Sequence, residues 1–218
     1  VVAIENERDE DLGDGRPPQA PPGFVVVVNI SGDVGDWSTT EVGLTGIADL
    51  FPDDPEPEYV DINEDNIAVV TLQENNHIVL VDAAAAEVVG DFFAGTVDLM
   101  GVDLTEDDPI INDKQSILQN EFQMAVPREP DGVTWISDEL LATADEGDLD
   151  GGSRGFTIFN KDGDIVFSSG NSNDQLTARL GHYPDSRSGN KGNEPENADY
   201  GAYGDDELLI VTSERSSV

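Results

Sequence analysis

The chain has no cysteine, so neither a disulfide framework nor a thiolate zinc site can be built from it. Lysine is almost as scarce, occurring only as Lys114, Lys161 and Lys191, and 10 basic residues face 47 acidic ones for a formal net charge of −37. A surface this negative repels nucleic acid and anionic lipid, which removes both from the natural partners. Long apolar runs are missing too. The runs that exist, such as Phe24 to Val28, are strand-sized, so no stretch reads as a transmembrane segment or a signal peptide.

Such acidity is typical of proteins from salt-loving organisms, whose surfaces stay soluble where salt screens their self-repulsion. An acidic, calcium-rich surface protein would have the same composition. Disorder is a third explanation, opposed by a 37% hydrophobic content gathered into short, well-punctuated runs.

What is present is a repeat. Two carboxylates clasp a proline three times, as Glu56-Pro57-Glu58, Glu129-Pro130-Asp131 and Glu194-Pro195-Glu196. Each tripeptide is followed by an apolar run and then a glutamate: Glu74, Glu146 and Glu214. A fourth run, Val1 to Glu5, opens the chain without its tripeptide. Glutamates 5, 74, 146 and 214 stand 69, 72 and 68 residues apart, a near-constant period that marks a repeat architecture. The clearest unit holds four β-branched or aromatic runs, Tyr59 to Ile62, Ile67 to Leu72, His77 to Val81 and Glu87 to Phe93, separated by Asn, Asp and Gly. That pattern predicts a four-stranded antiparallel meander. A second copy starts at Gly132 and includes Asn160-Lys161-Asp162-Gly163, a hairpin turn in which Asp-Gly tolerates positive φ.

Meanders in series predict an all-β fold, a β-propeller of four-stranded blades with boundaries near 1–50, 51–125, 126–190 and 191–218. A solenoid is the weaker alternative, because its repeats are usually shorter and more uniform than ~70 residues. About three blade-equivalents are present where closed propellers use about four to eight. Residues 1–218 are therefore expected to be part of one propeller domain whose remaining blades lie outside this segment.

In a meander, the link entering the first strand and the link after the second fall at the same end. The carboxylates of all repeats should then crowd one mouth, together with the long links 6–23, 96–126 and 171–193. Clustered carboxylates repel unless cations or protons intervene, and oxygen ligands without Cys or His suit Ca²⁺ or Mg²⁺. Glu58, Glu74, Asp131, Glu146, Glu196 and Glu214 are the candidate metal ligands. The competing reading is that these carboxylates cap backbone amides and fix the loops. Asp145 to Gly152 carries an Asp-x-Asp-Gly element like a calcium loop, without the remaining ligands of an EF-hand. Arg179, His182, Arg187 and Lys191 gather just ahead of the third tripeptide, either as an anion-binding clamp or as ion pairs neutralising the mouth. His77 begins a strand and reads as a packed or exposed residue rather than a base. No Ser-His-Asp triad or nucleophile elbow can be assigned.

Asp54 to Val60, Val70 to Asn76 with Val79 to Asp82, Glu129 to Val133, Ala144 to Asp148 and Lys191 to Glu196, taken in order, resemble the choice-of-anchor I family. These are bacterial secreted or surface-anchored propeller proteins, often labelled alkaline-phosphatase-like. The resemblance covers nearly the whole chain and implies a propeller with an extracellular, periplasmic or cell-surface location; it supplies no catalytic residue. Asn197 departs from it, since glycine is commoner after the tripeptide. Phytase-type propellers, where calcium ions on one face bind phosphate, are more distantly similar through the acidic mouth alone. Two readings of function follow. One is a metal-dependent phosphoester hydrolase acting on a small anionic ligand; the other is a non-enzymatic surface module that binds protein, glycan or mineral.

Overall fold

The computed structural model describes residues 1–6, 8–9, 11–106 and 120–216. Val2–Ile4 (β1), Phe24–Asn29 (β2) and Ser38–Gly43 (β3) form an antiparallel three-stranded sheet. Pro57–Ile62 (β4), Ile67–Leu72 (β5), His77–Asp82 (β6) and Glu87–Phe93 (β7) make a four-stranded meander. A two-stranded ribbon follows, from Thr96–Val102 (β8) and Glu121–Pro127 (β9). Pro130–Trp135 (β10), Leu140–Asp145 (β11), Gly155–Asn160 (β12) and Ile165–Ser168 (β13) repeat the meander, and Pro195–Tyr203 (β14) pairs with Asp206–Ser213 (β15).

The sheets stack because β5 and β6 are apolar at nearly every position. Alternate residues of a strand point to opposite faces. On one face Val70, Leu72, Val79 and Val81 pack against Val25, Val42 and Leu44 of the first sheet and the link after it. On the other, Val69, Ile78 and Leu80 pack against Val133, Trp135, Leu141 and Phe159 of the third. Each such side chain contributes roughly 1.5–3 kcal/mol when fully buried, so the middle sheet is held from both sides. Asn160 to Gly163 forms the expected hairpin turn, with Gly163 at φ 89° and its N–H donating to Asn160 O at 3.0 Å.

The three tripeptides occupy equivalent places. Each proline is the first residue of its strand, Pro57 opposite Leu72, Pro130 opposite Asp145 and Pro195 opposite Ser213, where its missing N–H costs no ladder bond. A register shift comes directly after every one, a bulge that re-aims the next side chain. These first strands are neighbours: β10 lies against both β4 and β14, and β1 lies against β4. Gly132 makes the closest approach possible, since a Cβ there would fall 2.6 Å from Asn197 Cα and 2.7 Å from Glu196 O.

Among the described residues the stack is open, with no closed barrel or complete propeller. Two long links also hold structure that the sequence did not suggest. Residues 96–126, expected as an irregular link, begin and end in the β8–β9 ribbon, where Leu99, Val102 and Val126 form a small core of their own. Residues 171–193 contain the helix Ser172–Leu180 (α1), closed by Gly181 at φ 80°. Its buried residues are Asp174 and Thr177, so no apolar stripe announces it.

Candidate functional site

All six predicted carboxylates line one cavity of about 270 Å³, shared with Glu5, Asp148, Gln73 and the basic residues Arg8, Lys191 and Arg215. The supply is regular. Glu58, Asp131 and Glu196 are aimed inward by the bulges of β4, β10 and β14, while Glu5, Glu74, Glu146 and Glu214 stand just beyond the ends of β1, β5, β11 and β15. Eight carboxylates thus meet three basic groups. Oxygens of Asp131, Glu146 and Glu196 lie within 4.8 Å of one another, as do those of Glu146, Glu194 and Glu214. Glu146, common to both trios, accepts from Lys191 Nζ on Oε1 and from Gln73 Nε2 on Oε2, at 2.6 Å each, and in the second trio Arg215 Nε is also 3.1 Å from Glu194 and 3.2 Å from Glu214. In the first trio, Asp131 is 5% exposed and its Oδ1 has no hydrogen-bond partner.

The link after β5 clamps two repeats. Asn75 Oδ1 accepts from Glu56 N–H and Asn76 Oδ1 from Glu129 N–H, at 2.9 and 2.8 Å. Main-chain bonds from Gln73 N to Glu56 O and from Glu214 N to Glu194 O repeat the closure at two sheets, and Gly147 N does so for Glu129 O.

The leading carboxylate of each tripeptide is buried behind this wall, and each is treated differently. Glu129 accepts main-chain N–H bonds from Leu149, Asp150 and Gly151 at 2.7–3.1 Å. Glu194 is ringed by Arg187 at 2.5 Å, Arg215 and Lys191. Both residues adopt positive φ, 44° and 52°, a strained state worth about 1–3 kcal/mol that these partners sustain. Glu56 faces the carboxyl of Glu74 instead.

The electrostatics follow from this crowding. Burial, then the nearby Glu196, Glu146 and Glu74 charges, push Asp131 up to about 8. Glu129 rises to about 7 through burial, with its amide donors opposing. Burial and the partner carboxyl raise Glu56 beside Glu74, and likewise Glu58 beside Glu5. Asp148 goes the other way: burial would raise it, but Lys191 and Arg8 hold it below the usual carboxylate range.

The predicted basic cluster does not converge. Lys191 lines the cavity, bound to Glu146 and Asp148 at 2.6 Å each. Arg187 stands behind the wall on Glu194. Arg179 Nε donates to Gln175 O on its own helix, and His182 is exposed. His77 is buried, its Nε2 2.9 Å from Asp91. The Asp/Gly-rich loop turns its amides inward around Glu129, and its Asp148 and Asp150 are engaged by Lys191, Arg8 and Arg16. Arg8, Arg215 and Asp148 were missed as cavity residues, although the position of Arg215 directly after Glu214 was a signal. A larger cleft of about 450 Å³ runs past Val60, Asp61, Thr134 and Asp199. There Asp61 is committed to Thr134 and the Trp135 N–H, and no comparable set of carboxylates gathers.

A family model described as the choice-of-anchor I domain matches residues 37–151 and 149–218. No curated protein matches the chain.

Proposed function

The chain belongs to the choice-of-anchor I domain family, whose domains are surface-associated, and we propose that its acidic cavity is a divalent-cation site serving a non-enzymatic binding role. The observation that carries this reading is Asp131 Oδ1, buried and without a partner in the wall of a cavity where two further carboxylates come within 4.8 Å. An orphaned buried acceptor of this kind costs about 1–3 kcal/mol or more. The donor set fits Ca²⁺ or Mg²⁺, being all oxygen and largely anionic. Asp131, Glu146 and Glu196 would hold the ion, with Glu58 and Glu74 beside them and Glu214 across the cavity. Bound there, the ion would offset the repulsion between repeats and offer its remaining coordination positions to an oxygen donor of a surface partner.

The binding reading is preferred to phosphoester hydrolysis because the cavity's basic groups are already spent. Lys191 and Arg215 neutralise carboxylates, Arg8 pairs with Asp148, and Arg179, His182 and Arg187 do not line the cavity. The same reading extends to the fold. Side-by-side first strands and face-to-face sheets support a propeller, and β15 keeps Leu208 and Ile210 more than two-fifths exposed where the equivalent β5 and β11 are buried. We take the stack to continue through further strands.

Titration calorimetry with CaCl₂ and MgCl₂ against chelator-treated protein tests the proposal. Uptake of one ion or more, weakened at least about tenfold by Asp131→Asn, is expected. Absence of uptake of either ion overturns it, and chelator-sensitive cleavage across a phosphoester panel would restore the hydrolase reading.

A further inference from the structure

Glu146 belongs to both carboxylate trios of the cavity, and each of its oxygens already has a donor: Lys191 Nζ on Oε1 and Gln73 Nε2 on Oε2. An ion held with Asp131 and Glu196 therefore gains Glu146 only by taking it from one of them. Asp131 Oδ1, buried and unpartnered, is the oxygen of that trio still without a positive neighbour. Of the two donors, Lys191 is the one that conflicts with a cation. Its ammonium is 7% exposed and stands 2.6 Å from both Glu146 and Asp148 and 3.6 Å from Glu194. A divalent ion on Glu146 would sit within a few ångströms of that charge, in a cavity where water screens poorly and like charges repel strongly. Lysine carries its charge at the tip of a flexible four-carbon stem, and this one has somewhere to go. The Asp148 side chain is 27% exposed against 9% for Glu146, so an ammonium that released Glu146 and kept Asp148 would move toward solvent with its charge still paired. Glu194 would not be orphaned, since Arg187 and Arg215 also hold it.

We propose that Lys191 is a built-in competitor for the cavity, which rests on the cation reading above: its ammonium holds Glu146 until a divalent ion displaces it onto Asp148. The exchange sets specificity. A free Na⁺ or K⁺ carries no more charge than the ammonium, and the ammonium is tethered at high effective concentration, so a monovalent ion has no advantage there. Ca²⁺ or Mg²⁺ carries twice the charge, and an all-oxygen ligand set suits it. Lys191 thus shuts the cavity to the monovalent counter-ions that a net charge of −37 attracts, while leaving it open to divalent ones.

The chain has only three lysines, so amine labelling reads Lys191 directly. The unmodified protein is treated with a limiting amine-acylating reagent in CaCl₂ or in KCl of equal ionic strength, and peptide mass spectrometry compares Lys191 with Lys161, whose side chain is 44% exposed. Labelling of Lys191 relative to Lys161 is expected to rise several-fold in CaCl₂ and to stay low in KCl. Calcium uptake by calorimetry with Lys191 labelling unchanged or slowed overturns this proposal and leaves the cavity reading standing. An equal rise in KCl overturns the claimed specificity. Lys191→Met gives a second measurement: with the competing charge gone, calcium should bind about tenfold tighter or more, and an affinity no better than the wild type's overturns the proposal. Uptake by Lys191→Met alone supports the competitor while overturning the cavity reading for the native chain. Uptake by neither protein overturns both. The labelling arm needs no variant, so its answer is independent of whether Lys191→Met folds.

Discussion

Replacing Arg154 by methionine should be among the most damaging single changes in this chain. Arg154 is wholly buried, and its guanidinium donates to Asp174 Oδ2 at 3.1 Å, Tyr183 Oη at 3.1 Å, and the carbonyls of Asp103, Ser188 and Asn190 at 3.2, 2.7 and 3.1 Å. It thereby ties α1 and residues 183–190, the approach to Lys191, onto the start of β12. Methionine fills similar volume but leaves Asp174 as a buried charge and strips three carbonyls of their donor. Breaking one side of a buried pair costs about 3–5 kcal/mol, and a domain of this size loses about 2–4 °C of Tm per kcal/mol, so a fall on the order of 6–20 °C is expected. Asp174 is already pushed up to about 6 by burial, against the pull of Arg154. Without the arginine it should take up a proton more readily, making the loss smaller at pH 5 than at pH 8. Adding Asp174→Asn should recover part of the loss, because the orphaned charge is gone. Differential scanning calorimetry of the two variants at both pH values measures all of this. A fall in Tm below about 2 °C, or a double variant no better than the single one, would refute the reasoning.

In chelator, Tm should fall as pH rises from about 5 to 8. Glu129 and Asp145 are raised to about 7 and Asp131 to about 8, chiefly by burial; such groups stabilise the fold while protonated and lose that contribution as pH climbs through their folded values. A rising Tm over that range contradicts it. With a net charge of −37, stability should increase between dilute buffer and molar KCl as repulsion is screened, and a flat or falling Tm in salt would dismiss the halophilic reading. Gly132→Ala should destabilise by about 2 kcal/mol or more, because the added methyl meets main-chain atoms of β14 below 3.0 Å. A change under about 0.5 kcal/mol by chemical denaturation would show that the sheets can part.

The parts of the fold that were legible in the sequence are those where one local rule suffices. β-branched and aromatic runs bounded by Asn, Asp and Gly located β4 to β7 within a residue or two. The constant spacing of Glu5, Glu74, Glu146 and Glu214 brought six named carboxylates into one cavity, because a meander fixes which links share an end. Of the basic cluster, Lys191 and Arg187 meet carboxylates as ion pairs, whereas Arg179 and His182 turn elsewhere, for the same reason that α1 was invisible. Closeness of Arg179, His182, Arg187 and Lys191 in sequence says nothing of direction once a helix of 3.6-residue period intervenes, and that helix buries Asp174 and Thr177 rather than an apolar stripe. Arg8 reaches the cavity from a link rich in Asp and Gly, and its partner Asp148 is 140 residues away, a pairing that no local pattern encodes.

The absence of a side chain at Gly132 fixes more than a packing contact. Since main chain meets main chain between β10 and β14, the spacing of the cavity wall is set by backbones and not by rotamers. Shortening or lengthening a single carboxylate, as in Asp131→Glu or Glu196→Asp, then alters the reach of that one arm over an unmoved frame. The cavity can accordingly be retuned in reach one position at a time over a fixed frame, while the charges of Asp131, Glu196 and Glu146 stay coupled, so an engineer can grade the ligand set by ion radius without moving the backbone that carries it.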